Sequence, residues 1–426
     1  MRYLCCLLFI VSLNVESKIF NSKAIVHPAV GKDGMVVSQH YLATEAGHSI
    51  LAEGGNAYDA SIAVAFALAV VLPRAGNIGG GGFMVMFDEA TNQSYSIDYR
   101  EIAPERATKD MFLAQDGSVD KKRATQGILS IGVPGTVYGM WEVHQRFGSL
   151  PWAKLLEPAI KLAEDGFAIS PFMADALNGR YKKLSQYKNF KRIFYANHPV
   201  QMHERLIQKN LANTLKIIAA DGAQGFYQGK VANQIDRYMK NNGGLITKKD
   251  LKNYRPVWRE TVKGTYDDYE IVTMGPPSSG GIHVIQMLNI LEQYDLVSMG
   301  HNSPTYVAVL TESMKYAYAD RSKYLGDPDF FDVPTQTLIS KSYANTINQK
   351  IKLGTITPSE SILPGSAMPP ESPDTTHFSV ADSDGNLISN TYTLNSGFGS
   401  GVVIDGTGVL MNNEMDDFVS APGIPN

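Results

Sequence analysis

Cysteine is almost absent: among 426 residues only Cys5 and Cys6 carry thiols. Both lie in the short apolar stretch Tyr3 to Leu13, behind the positively charged start Met1-Arg2. Val15-Glu16-Ser17 then supplies small residues at the spacing a signal peptidase reads, so residues 1–17 are expected to be a cleaved secretory leader. The other reading is a buried N-terminal strand. A chain beginning at Lys18 contains no cysteine, which excludes a disulfide framework in an exported product. No apolar run reaches the ~20 residues of a membrane helix, so no stable membrane span is expected. A basic surplus is lacking too, with 38 Lys and Arg against 42 Asp and Glu and a net charge of −4. That argues against a nucleic-acid partner. The one basic and aromatic stretch, Arg180 to Tyr195, reads as a helical face with solvated charges and inward-turned rings. Asp327, Asp329 and Asp332 read as solvated, turn-capping carboxylates, and no metal site or cofactor motif is found.

What is present is punctuated by glycine. Apolar residues recur at helical spacing from Ser38 to Ala52, with Gly54-Gly55 as the stop. Asn56 then caps a second helix through Leu68, apolar on nearly all sides and ended by Pro73, as befits a helix packed between layers. Gly76 to Gly82 leads into two strand-like runs, Phe83 to Phe87 and Ser94 to Tyr99. No Gly-Lys-Ser/Thr follows, and the loop opens a strand where a phosphate loop would open a helix. Its glycines are therefore read as tight turns and close backbone packing. The middle, from Pro151 to Asp267, reads mostly helical, with helices also expected over Ile282 to Leu291 and Pro304 to Asp320. Pro358 to Pro373 holds five prolines and is expected to be extended, exposed and cleavable. Alternation follows: His377 to Ala381, the turn Ser383-Asp384-Gly385-Asn386, and Leu387 to Leu394 form a hairpin. Helices first and paired strands later suggest a layered α+β sandwich.

Chemistry concentrates where the proline tract meets the hairpin. A threonine hydroxyl is a weak nucleophile that needs a base nearby. If the bond before Thr375 is cut, the freed α-amine, with a pKa of about 8, lies within reach of its own hydroxyl. Pairing Ser383 with Asn386 across the turn carries Thr375 opposite Leu394, within one residue of Thr393, so a second hydroxyl would stand close to the first. A threonine-rich strand is by itself only a strand.

The surrounding motifs are more specific. Thr375-Thr376-His377-Phe378-Ser379-Val380, Thr391-Tyr392-Thr393-Leu394-Asn395 and Asn412-Asn413-Glu414-Met415-Asp416-Asp417-Phe418 resemble the γ-glutamyltransferase family, in wording closest to its bacterial branch. So do Glu53 to Ala57, Gly76 to Phe83, Asp98-Tyr99-Arg100-Glu101, Val133 to Thr136 and Pro276 to Gly281. The resemblance implies a four-layer αββα fold of the N-terminal-nucleophile hydrolase type. It also implies a precursor that cuts itself into a large subunit (18–374) and a small subunit (375–426) that stay together as a heterodimer. Thr375 matches the nucleophile, Thr393 the hydroxyl that assists it, and Arg100 the residue gripping the donor α-carboxylate. Asn395, Glu414 and Asp417 match residues that bind the α-carboxylate or α-amino end of the glutamyl group. Substrates would be glutathione and other γ-glutamyl compounds, with water, amino acids or dipeptides as acceptors, in the periplasm or outside the cell.

The family continues past the point matching Asn426, with a Pro-Leu-Ser-Ser-Met segment and a Gly-Ser-Pro-Gly-Gly segment that do not occur here. Since every matched catalytic position is intact, an incomplete record is the reading taken. An inactive truncated relative that retains only binding is its alternative. An acylase of the same superfamily is the closest enzymatic rival.

Overall fold

A computed structural model describes residues 28–362, 374–418 and 420. The expected leader, both cysteines and most of the proline tract lie outside these residues. The architecture is α+β, as expected. Its centre is a six-stranded antiparallel sheet of β1 (Gly34–Val37), β2 (Gly81–Asp88), β3 (Gln93–Asp98), β4 (Val257–Arg259), β5 (Thr376–Asp382) and β6 (Leu387–Thr393). The spatial order is β1-β5-β6-β2-β3-β4, so the late hairpin β5–β6 is inserted between strands from the start of the chain.

Two helices cover one sheet face, α1 (Tyr41–Ala52) and α2 (Ala57–Val71). α2 begins where expected because Asn56 and Asp59 cap each other: the Asp59 amide donates to Asn56 Oδ1 at 2.9 Å, and the Asn56 amide donates to Asp59 Oδ2 at 3.3 Å. Every residue of α2 is buried, as its all-round apolar sequence requires. A third helix, α3 (Trp152–Asp165), packs against its far side. On the sheet, Phe378, Val380, Ile388 and Tyr392 alternate into this core while His377, Ser379 and Thr391 face out. The Tyr392 hydroxyl donates to the Ala65 carbonyl at 2.8 Å, tying β6 to α2.

The hairpin register differs by one residue from the sequence expectation. Thr376 pairs with Tyr392 and Leu387 with Ala381, so one further step puts Thr375 opposite Thr393 itself. The connection is a three-residue loop rather than a two-residue turn. Gly385 takes φ +93, and the Asp382 carboxylate accepts the Asp384 and Asn386 amides at 3.1 and 2.9 Å. An extra loop residue in a left-handed conformation is the usual partner of such a shift. The Arg180 to Tyr195 stretch buries Phe190, Phe194 and Tyr195 and exposes Lys182, Lys188, Lys191 and Arg192, as read from its pattern. Arg180 itself turns inward. Asp329 pairs with Arg259 at 2.9 Å, and its amide is capped by Asp327.

Candidate active site

The glycine-rich loop after α2 is the platform of the site. It packs backbone to backbone against the late part of the chain. A Cβ on Gly79 would lie 2.2 Å from the Leu410 carbonyl oxygen, and one on Gly80 2.2 Å from that of Thr393. No side chain fits at either position, which is why glycine stands there. Asn77 organises the loop from within the core. Its amide donates to the carbonyls of Thr393 (2.8 Å) and Ala75 (3.0 Å), and its Oδ1 accepts the Gly80 amide and the Thr136 hydroxyl, both at 2.8 Å. Asn412 does the same from the other side, donating to Gly79 and Gly132 carbonyls and accepting the Gly132 and Glu414 amides.

On this platform Thr375 is exposed, and its hydroxyl points at that of Thr393, 3.4 Å away. Thr393 is buried. Its Oγ1 accepts the Asn395 amide at 2.9 Å and lies 3.5 Å from the Asp374 carbonyl oxygen, the oxygen of the peptide bond that precedes Thr375. Asn395, at φ +72, turns its side-chain amide to the Asn413 carbonyl at 3.1 Å. From there the chain runs directly into Glu414, which begins a single 3-10 turn, Glu414–Asp416.

Arg100, Glu414 and Asp417 come together in space. The Arg100 guanidinium lies 2.6 Å from Glu414 and donates to Asp417 at 2.8 Å, with the Phe83 ring beside it. The Glu414 contact lacks hydrogen-bond geometry, so both oxygens of this buried carboxyl have no hydrogen-bond partner among the described residues. Burial pushes Glu414 up to about 8, with Asp417 adding to the rise and Arg100 opposing it. Glu101 is buried beside them, its carboxyl also without hydrogen-bond partners among the described residues, and is raised well above the ordinary range by burial and then by Glu414. Fully ionised, Arg100, Glu101, Glu414 and Asp417 would carry a net charge of −2. Such a cluster favours a ligand bringing an ammonium group into it, because uncompensated buried charge is costly.

Glu101, Asn77 and Asn412 were missed as site residues, although all three lie inside the quoted motifs. Their signal was polar side chains among glycines and apolar residues. Asp374, Arg74 and Arg180 also meet at the site, and no local pattern pointed to them.

The gamma-glutamyltranspeptidase family model matches residues 43–426. The chain is 47% identical over 418 residues to the glutathione hydrolase proenzyme of Escherichia coli, covering 98% of this chain and 71% of that relative. It is also 41% identical over 403 residues to an acylase proenzyme of a Pseudomonas species, covering 93% of this chain and 71% of that one. Among solved structures it is similar to the γ-glutamyltranspeptidase of Helicobacter pylori, with a TM-score of 0.76 and 46% identity over 80% of this chain and 97% of that one. The chain belongs to the gamma-glutamyltranspeptidase family.

Proposed function

We propose that this protein is a γ-glutamyltransferase and glutathione hydrolase, made as an exported precursor that cleaves itself before Thr375. The observation that carries this reading is the Thr375–Thr393 hydroxyl pair, 3.4 Å apart, with the Asp374 carbonyl oxygen 3.5 Å from the same Thr393 hydroxyl. Cleavage leaves a large subunit (18–374) and a small subunit (375–426) associated, and frees the Thr375 α-amine to serve as base for its own hydroxyl. The donor's α-carboxylate is bound by the planar Arg100 fork, and its ammonium by Glu414 and Asp417. Thr375 then attacks the γ-carbonyl. The amine half leaves with a proton, and water or an acceptor amine releases the γ-glutamyl group from the ester.

Asn395 contributes by shaping the loop between nucleophile and carboxylates. The charged cluster favours a donor that brings an α-ammonium over a glutaryl group, which carries the carboxylate but no ammonium. The test is N-terminal sequencing and intact mass of the exported protein, followed by assay of a γ-glutamyl anilide against a glutaryl amide. A fragment beginning Thr375-Thr376-His377 and preference for the γ-glutamyl compound are expected. An uncut chain, or preference for the glutaryl amide, overturns the reading.

A further inference from the structure

Asp374 is the residue on the other side of the bond to be cut, and its side chain is held by a device the reaction described above does not use. Its two carboxylate oxygens go to two different arginines: Arg74 Nη2 lies 2.5 Å from Oδ1, and Arg180 Nη2 3.2 Å from Oδ2. The arginines arrive from separate places, Arg74 from the turn after α2 and Arg180 from the end of the helix Pro171–Gly179. Each is braced. The Arg74 guanidinium lies over the Phe172 ring, 4.9 Å from its centre, and the Arg74 carbonyl accepts the Phe398 amide at 3.0 Å. Gly397 closes the third side: a Cβ there would stand 2.8 Å from Asp374 Oδ2. Lys183 adds a further positive group. Burial and then Arg180 hold its pKa below the usual lysine range, while Asp374 opposes them.

A carboxylate fixed at both oxygens fixes the backbone that carries it. Asp374 is buried, and its pair with the largely buried Arg74 is less screened by solvent than its pair with the more exposed Arg180. The carbonyl of the same residue is the one that faces the Thr393 hydroxyl. We propose that Arg74 and Arg180 are positioning residues for self-cleavage, gripping the Asp374 side chain so that its carbonyl stays beside the Thr375–Thr393 hydroxyl pair. The inference rests on the self-cleavage reading above. In the step they serve, the Thr375 hydroxyl oxygen bonds to the Asp374 carbonyl carbon while the 374–375 C–N bond breaks. The hydroxyl proton passes to the departing nitrogen. Water then adds to the ester, giving the Asp374 carboxyl group and restoring the Thr375 hydroxyl. Both arginines meet Asp374 at its side-chain carboxylate, so each acts through that residue.

The experiment follows the full-length precursor from synthesis, by gel and by N-terminal sequencing of the product. Arg74→Ala combined with Arg180→Ala is expected to slow appearance of the Thr375 fragment about 10- to 100-fold, the scale of a misplaced reacting group. Millimolar guanidinium ion is expected to restore part of that rate, which a mere packing defect would not allow. The same pair of substitutions in a Thr375→Ala background, melted as the uncut chain, reports whether the fold survives. A folded double variant that cleaves within about twofold of the parent rate overturns the proposal. Should the double variant not fold, Asp374→Ala, which keeps both arginines, is read against the same two outcomes. A parent chain never cut at this bond overturns the self-cleavage reading itself, a result distinct from cutting that ignores the arginines.

Discussion

Thr393 Oγ1 stands between two donors: the Thr375 hydroxyl at 3.4 Å and the Asn395 backbone amide at 2.9 Å. The bond from Asn395 fixes the Thr393 oxygen, which also accepts the Thr375 hydroxyl and so orients it. Thr393→Ala is therefore expected to slow both self-cleavage and turnover about tenfold or more, the worth of one orienting hydrogen bond. Thr393→Ser, which keeps the hydroxyl, is expected to stay close to the parent. Rates of fragment formation and of γ-glutamyl anilide hydrolysis measure both. An alanine variant as fast as the parent would remove Thr393 from the mechanism.

Arg100→Lys keeps the charge and loses the fork. Loss of a charge-assisted bond to the donor carboxylate is worth about 1.5–3 kcal/mol, or roughly 10- to 100-fold in kcat/KM. The loss is expected mainly in KM, and steady-state kinetics on the mature enzyme separates it from an effect on kcat. An unchanged KM would place the donor carboxylate elsewhere.

Glu414 gives a pH signature. Its value in the folded chain, about 8, lies above its ordinary 4.5. The folded state therefore holds this proton more tightly than the unfolded one. The contribution favours folding below about 4.5 and is lost as pH rises through about 8. The parent melting temperature is expected to fall across that window, and Glu414→Gln to flatten the fall. A ligand ammonium seated against the ionised carboxylate should also expel the proton at neutral pH. Calorimetry in buffers of different ionisation heat reads that release. No difference between buffers would sever the ligand from Glu414.

Asn77 is the test of the platform. Its side chain makes four buried hydrogen bonds, one of them to the Thr393 carbonyl. Asn77→Ala strands those partners and is expected to cost about 2–4 kcal/mol of stability by chemical denaturation. A loss under about 0.5 kcal/mol, the size of a surface substitution, would mean that the loop is held by packing alone.

Much of this was legible in the sequence because the signals were local. The capping of α2 by Asn56, its burial and the β5–β6 pair all follow from neighbours a few residues apart. The hairpin register was not, because loop length is decided by where Asp382 caps the turn and where Gly385 adopts positive φ, and four turn-forming residues in a row do not reveal that. Of the site, Thr375, Thr393, Arg100, Asn395, Glu414 and Asp417 were named from their motifs, and the fold brings them onto one continuous path. The partners of Asp374 stayed hidden since Arg74 and Arg180 are separated from it by 300 and 194 positions. No periodicity spans such a gap.

The place of the hairpin in the sheet governs the order of events. β5 is flanked by β1 and β6, and β6 in turn by β2, so residues after Thr375 sit between strands made before it. The Asp374–Thr375 bond can meet its hydroxyls only once that sheet has closed, so under the proposed self-cleavage folding would be the clock for cutting. After such a cut, the ladder on both sides of β5 would still hold the new terminus in place. What would change is the way back: an intact precursor refolds as one molecule, whereas cut pieces, once unfolded and diluted, would have to find each other by collision. Self-cleavage would thus turn a reversible fold into one whose survival depends on never being opened.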